Sequence, residues 1–192
     1  MTTPGAIATS EPELVVLPDP DAVSRAAAER VAAVLAAAVR AREVAHWATT
    51  GGSTPSGIYR ALGSPPLREA VPWDRVHVWF GDDRYVPRDH PLSNVRLVDD
   101  ILLRIGASSG QSGSGESGID VALGREAGVP LPVPNVHPFP CAEAIGEAWG
   151  PEWCAARYAE EVAAAVGSPW PVFDLVLLGV GRDGHILSVF PE

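Results

Sequence analysis

Apolar residues recur along this chain at two periods, and the alternation between the two predicts its architecture. "DAVSRAAAERVAAVLAAAVRARE" (21–43) sets Val23, Ala27, Val31, Val34, Leu35 and Ala38 at helical spacing. Its alanines add high intrinsic helix propensity. Shorter runs read as strands: "ELVVLPD" (13–19) first, then "VAHWATT" (44–50) and the alternating "RVHVWFGD" (75–82). The last, "VFDLVLLGVG" (172–181), is apolar but for Asp174 near its start and predicts a strand buried on both faces. Further helices are expected from "SGIYRAL" (56–62) after a "GGSTP" turn, from "SNVRLVDDILLRI" behind a Ser93 cap, and from "PEWCAARYAEEVAAAV" (151–166).

Strands alternating with helices at this spacing indicate an α/β domain built on a mainly parallel sheet. One domain is expected over residues 1–192, with "GASSGQSGSGESG" (106–118) as a flexible, low-complexity insertion. Together with the proline-rich "GVPLPVPNVHPFP" that follows, this insertion is expected to separate two structured halves. In parallel sheets, ligands gather at the carboxyl ends of the strands. Three polar loops leave such ends, after Thr50, Phe80 and Leu178, and they form the expected site.

Composition narrows the function classes. A chain of 192 residues with 46% hydrophobic and 20% charged residues can bury a substantial core and is not disordered throughout. No apolar run approaches the ~18 residues of a membrane span, and the N-terminus lacks the basic-then-apolar pattern of a signal peptide. Cys141 and Cys154 are too few for a disulfide scaffold or zinc site and read as reduced thiols of a cytoplasmic protein. A net charge of −10 argues against nucleic acid and anionic membrane as partners. A small anion remains admissible, provided arginines and backbone N–H groups make its site locally positive.

Each loop offers one kind of chemistry. In Gly51-Gly52-Ser53-Thr54-Pro55, the glycines allow close backbone approach, and the helix start beyond attracts an anion such as phosphate. The dipole contributes roughly 0.3–1 kcal/mol when exposed, too little to hold phosphate alone. An ordinary capped turn explains the same residues equally well. In Gly81-Asp82-Asp83-Arg84-Tyr85, Arg84 matches phosphate oxygens in a two-pronged way. The carboxylates there could orient a sugar hydroxyl or form a surface ion pair; no neighbouring Asp/His cluster points to metal. In Gly181-Arg182-Asp183-Gly184-His185, the neutral imidazole is available as a general base, and Asp183 could fix that ring or a nearby hydroxyl; a single histidine is more often structural or merely exposed. His46, His77, His90 and His137 read as structural or exposed.

Taken in order, "TTGGSTPSGIYRAL", "WDRVHVWFGDDRYVPRDHPLSNVRLVDDILL", "NVHPFP" and "FDLVLLGVGRDGHILSVFPE" resemble the 6-phosphogluconolactonase family, whose relatives include the glucosamine-6-phosphate deaminases. The resemblance implies a Rossmann-like fold and no cofactor or metal. It implies hydrolysis of the phosphosugar lactone 6-phosphoglucono-1,5-lactone in the oxidative pentose phosphate route. By that resemblance Gly51, Gly52, Ser53 and Thr54 form the phosphate-side loop, and Asp82 and Arg84 belong to the Gly-Asp-Glu-Arg motif, with Asp83 in the glutamate's place. His185 then activates water. Ile186 and Leu187 are bulkier than the family's usual residues and narrow the site. Family members continue past "FP", so a C-terminally truncated fold is expected here, its open edge covered by a protein partner or by self-association. A weak or inactive sugar-phosphate-binding protein and an aminosugar-phosphate deaminase are the alternative readings.

Overall fold

The computed structural model of the chain describes residues 11–103 and 128–191. The Gly/Ser-rich stretch at 106–118 lies outside these residues. Helix α1 (Pro20–Arg42) starts where Asp19 Oδ1 accepts a hydrogen bond from Ala22 N–H at 2.7 Å, satisfying one of the donors that a helix start leaves open. Its buried stripe is Ala28, Val31, Ala32, Leu35 and Ala38, while Val23 at the open end of the stripe is 41% exposed. The chain then runs through β1 (Ala45–Thr49), α2 (Ser53–Leu62), a short α3 (Leu67–Ala70) and β2 (Val76–Phe80). Helix α4 (Asn94–Leu97), capped by the Ser93 hydroxyl, continues as a π-helical stretch over Val98–Leu103. After residue 128 come β3 (Val136–His137), α5 (Cys141–Gly146), α6 (Pro151–Val166) and β4 (Leu175–Val176).

All four strands pair in parallel in the order β3-β2-β1-β4. The sheet grows outward from β1 through β2 to β3, then the chain returns to place β4 on the other side of β1. This reversal opens a crevice between the loops leaving β1 and β4, the place where open parallel sheets bind ligands. Alternation along the strands divides the two faces. Ala45, Trp47, Val76, Val78 and Phe80 are buried in one continuous core with α1 and α2. Ala48 and Trp79 face the other way, against Tyr158 and Val162 of α6. Helices α1 and α2 meet at Gly57, where a Cβ would stand 2.3 Å from the Ser24 hydroxyl; only glycine permits that approach.

Three sequence expectations are corrected. "ELVVLPD" forms no strand: residues 11–17 carry no regular structure, and Leu14 and Val16 are 87% and 82% exposed. β-propensity alone does not make a strand when no sheet edge receives it. The proline-rich stretch is no separator, because it supplies β3 and buries Val129, Leu131 and Val136 in the main core. Its prolines end pairing after a few residues rather than preventing it. The last strand is not buried on both faces: only Leu175–Val176 pairs, and Val176 and Leu178 are about half exposed. β4 is an edge strand among the described residues, and a strand paired on one side only leaves part of its apolar surface uncovered.

Candidate active site

The first loop is anchored from beneath. The buried Tyr59 hydroxyl donates to the Thr50 carbonyl at 3.0 Å, so its 2.7 Å contact with Thr49 Oγ1 has the threonine as donor. That ties the end of β1 to the helix that follows. Gly52 adopts φ 100°, a conformation that favours glycine, and stands as N-cap of α2. It has no side chain to cap the helix, and no neighbour supplies one. The first-turn N–H groups of α2 therefore point into the crevice with the positive end of the helix dipole. Helix α2 begins at Ser53, three residues earlier than expected, so Ser53 and Thr54 belong to this turn.

In the second loop the two carboxylates separate in role. Asp83 turns inward: its Oδ1 accepts from the N–H groups of Arg84 at 2.8 Å and Asn94 at 2.7 Å, and its Oδ2 from the Ser93 hydroxyl at 2.9 Å. It braces the start of α4 and is spent on that task. Asp82 faces the crevice, where its Oδ2 accepts from Ser188 Oγ at 2.6 Å. Arg84 reaches the segment at the start of α4, donating to the Leu92 carbonyl at 3.3 Å and to the side chain of Asn94.

The third loop is held by its own backbone. Gly181 N–H donates to the His185 carbonyl at 2.8 Å, Gly184 N–H to Gly181 at 3.0 Å, and Ile186 and Val189 exchange two further bonds. The turn requires φ 89° at Gly184, and Gly181 lies so close to the imidazole that a Cβ would stand 2.2 Å from its Nδ1. His185 Nδ1 lies 2.5 Å from Asp183 Oδ1. That hydrogen bond holds the Asp183 carboxyl below the usual carboxylate range. With Nδ1–H donated to a carboxylate, the ring carries its lone pair on Nε2. The Ser188–Asp82 bond then joins this loop to the second one.

Gly51, Gly52, Ser53, Thr54, Asp82, Arg84 and His185 line one cleft of about 220 Å³. That is slightly below the ~300 Å³ at which drug-sized ligand pockets begin, a size for a small polar molecule. Asp183 stands behind His185 rather than on the cleft wall. Asn94 and Leu187 also line the cleft, and sequence reasoning missed the first and weighed the second only for size. Leu187 takes a left-handed backbone (φ 56°) and lays its side chain over Gly81, where a Cβ would come within 2.9 Å of it. The signal for Asn94 was present in the Ser-Asn pair after the second loop, but it read only as a helix cap.

The other histidines are absent from the cleft wall. His46, His77 and His137 stand in a row across β1, β2 and β3 beside Trp79, and the His90 ring accepts from Leu92 N–H at 3.2 Å. Cys141 and Cys154 are free thiols 3.4 Å apart, and burial raises both, Cys154 to about 12. Among the described residues no group of three His, Cys, Asp or Glu is arranged to hold a metal ion, and no helix is long and apolar enough to cross a membrane.

The sequence profile described as glucosamine-6-phosphate isomerases/6-phosphogluconolactonase matches residues 18–192. The chain belongs to this family. Within the family, it is 36% identical over 148 residues to a 6-phosphogluconolactonase of Synechocystis, an alignment covering 76% of this chain and 48% of that protein. It is 33% identical to the Streptomyces coelicolor 6-phosphogluconolactonase, over 94% of this chain and 62% of the other. The solved 6-phosphogluconolactonase from Trypanosoma cruzi superposes with a TM-score of 0.70 at 26% identity, covering 94% of this chain and 62% of its own. The chain thus spans about half to three-fifths of the length of these family members. The α/β fold with a mainly parallel sheet, expected from the sequence, is the fold of the family.

Proposed function

We propose that this protein hydrolyses 6-phospho-D-glucono-1,5-lactone to 6-phospho-D-gluconate. The observation that carries the reading is the carboxylate-held imidazole of His185 on the wall of the same cleft as Arg84 and the uncapped start of α2. The Arg84 guanidinium and the first-turn N–H groups of α2, flanked by Ser53 and Thr54, bind the phosphate of the substrate. Asp82, which lines the cleft, accepts from a sugar hydroxyl. Nε2 of His185 removes a proton from a water molecule, whose oxygen attacks the lactone carbonyl at C1. Asp183 stabilises the imidazolium that results. When the tetrahedral intermediate collapses, the C1–ring-oxygen bond breaks and the proton on Nε2 passes to the departing oxygen. The base returns to its starting form, and the product is the open-chain acid.

Two features support this assignment over simple sugar-phosphate binding. The relatives matched at 31–36% identity are named 6-phosphogluconolactonases. The imidazole also has an orienting carboxylate on its far nitrogen, which a binding site for a neutral sugar ring does not require. The test is lactone hydrolysis corrected for spontaneous opening in buffer alone. His185→Ala is expected to lose about 10²–10⁴-fold of the rate above background, the range for a positioned general base. Binding of 6-phosphogluconate to that variant should persist. A variant that hydrolyses at the parent rate removes His185 from the mechanism, and a parent no faster than buffer leaves a binding protein.

A further inference from the structure

Asn94 is 2% exposed, yet its carboxamide meets both Asp82 and Arg84 and lies beside Gly51 on the cleft wall. Its Nδ2 donates to the Asp82 carbonyl at 2.9 Å and to Asp82 Oδ1 at 3.2 Å. Its Oδ1 accepts from Arg84 Nη1. The orientation of the amide is dictated by these partners: turned over, it would set an oxygen against two acceptors and an NH₂ against a guanidinium. Its backbone N–H is held by Asp83 Oδ1, and the Ser93 cap fixes the helix start that carries it. On the opposite side lies the glycine turn. A Cβ at Gly51 would stand 1.7 Å from Asn94 Oδ1 and 2.2 Å from its Cγ, so the absence of a side chain at 51 makes room for this amide.

The charges around it give the arrangement a meaning. Arg84 and Asp82 carry opposite charges two residues apart in one loop, and nothing in the covalent chain keeps them from pairing. Among the described residues they form no ion pair with each other. Each instead meets the neutral end of Asn94 that suits it. An Arg84 neutralised by Asp82 would offer an incoming phosphate much less, because a charge-assisted bond would first have to be broken. We infer that Asn94 is a positioning residue, a buried neutral spacer that keeps the Arg84 guanidinium and the Asp82 carboxylate apart and sets Arg84 beside the glycine turn for an anionic group. The identity of that group as a sugar phosphate rests on the function proposed above; the spacing of the two charges does not.

Two variants separate positioning from a structural role. Asn94→Asp keeps size and shape, keeps an acceptor for Arg84, and removes the donor to Asp82. It therefore pairs Arg84 with a buried negative charge. Asn94→Ala removes both contacts and leaves Arg84 unneutralised by the substituted side chain. Dissociation constants are measured for 6-phosphogluconate and for gluconate, which lacks the phosphate, with Tm recorded for each protein. Asn94→Asp is expected to weaken 6-phosphogluconate by about tenfold or more, the scale of one charge-assisted contact. Gluconate should change by much less, and Asn94→Ala should fall between Asn94→Asp and the parent. Equal weakening of both ligands in step with a fall in Tm would mean a structural residue, and parent-like affinity in Asn94→Asp would mean no role; either overturns the inference. The ¹⁵N NMR signal of the Arg84 side chain, read without ligand, is the second measurement. It should shift between parent and Asn94→Asp, and an unchanged signal overturns the inference. If the parent does not bind 6-phosphogluconate, the phosphosugar reading fails, and the Arg84 signal alone then decides whether Asn94 sets the guanidinium.

Discussion

Replacing His137 by phenylalanine removes a titrating ring from the α6 face of the sheet while keeping an aromatic plane against Trp79. In the parent, the two rings stack with centroids 3.8 Å apart, and His137 Nε2 shares a hydrogen bond with His77 Nδ1 at 2.8 Å. The Trp79 indole donates to His46 Nδ1 at 3.1 Å, and Tyr158 of α6 donates to the His137 carbonyl. Asp174, beside His46, is the carboxylate that faces the row, and its pull on His46 is smaller than the effect of burial. Burial and the neighbouring rings lower His137 from 6.5 to about 4; burial lowers His46, and burial together with His46 lowers His77. Above pH 6.5 the imidazole is neutral in folded and unfolded chains alike and adds no pH dependence. Between about 6.5 and about 4 the unfolded chain takes up a proton that the folded one refuses, so stability falls as pH falls. The gap is worth about 3 kcal/mol in full, and about 2 kcal/mol by pH 5. At about 2–4 °C per kcal/mol for a chain of this size, Tm should drop by about 4–8 °C between pH 7 and pH 5 from this residue. Thermal unfolding at a series of pH values, followed by tryptophan fluorescence, reads the effect. The Tm of His137→Phe should fall less steeply than that of the parent over that interval. Parallel curves would refute the argument, because His137 is the one titrating group that the substitution removes, and its hydrogen-bond partner His77 is the one whose surroundings change most.

Two further outcomes follow from the contacts described. Arg84→Ala should weaken 6-phosphogluconate binding by about 1.5–3 kcal/mol, the range for a hydrogen bond to a charged group, and titration calorimetry checks it; unchanged affinity would place the phosphate elsewhere. Tyr158→Phe strips the acceptor from Phe80 N–H, 2.8 Å away, and leaves a buried donor unsatisfied at a cost of about 1–3 kcal/mol, visible as a lower denaturation midpoint with an unchanged slope.

Local features were legible wherever the chain's own period and chemistry decide the structure. α6 occupies the span read for it, and α1 differs by one residue at each end, because alanine-rich stripes and capping residues act within a few positions of themselves. β1 and β2, the glycine turn, Arg84 and His185 were recognisable for the same reason. Tertiary structure decided what depends on a neighbour across space. "ELVVLPD" has strand composition and no partner, whereas the proline-rich stretch reads as linker and supplies β3, since pairing is granted by an edge and not by a sequence. Asp82 and Asp83 are indistinguishable as text. One faces the cleft and the other is consumed at the start of α4, because the chain folds back to bring Ser93 and Asn94 beside them. The union of three loops in one cleft has the same origin: the reversal of strand order around β1 sets the loops of β1 and β4 side by side, a relation between segments more than a hundred residues apart that no local pattern encodes.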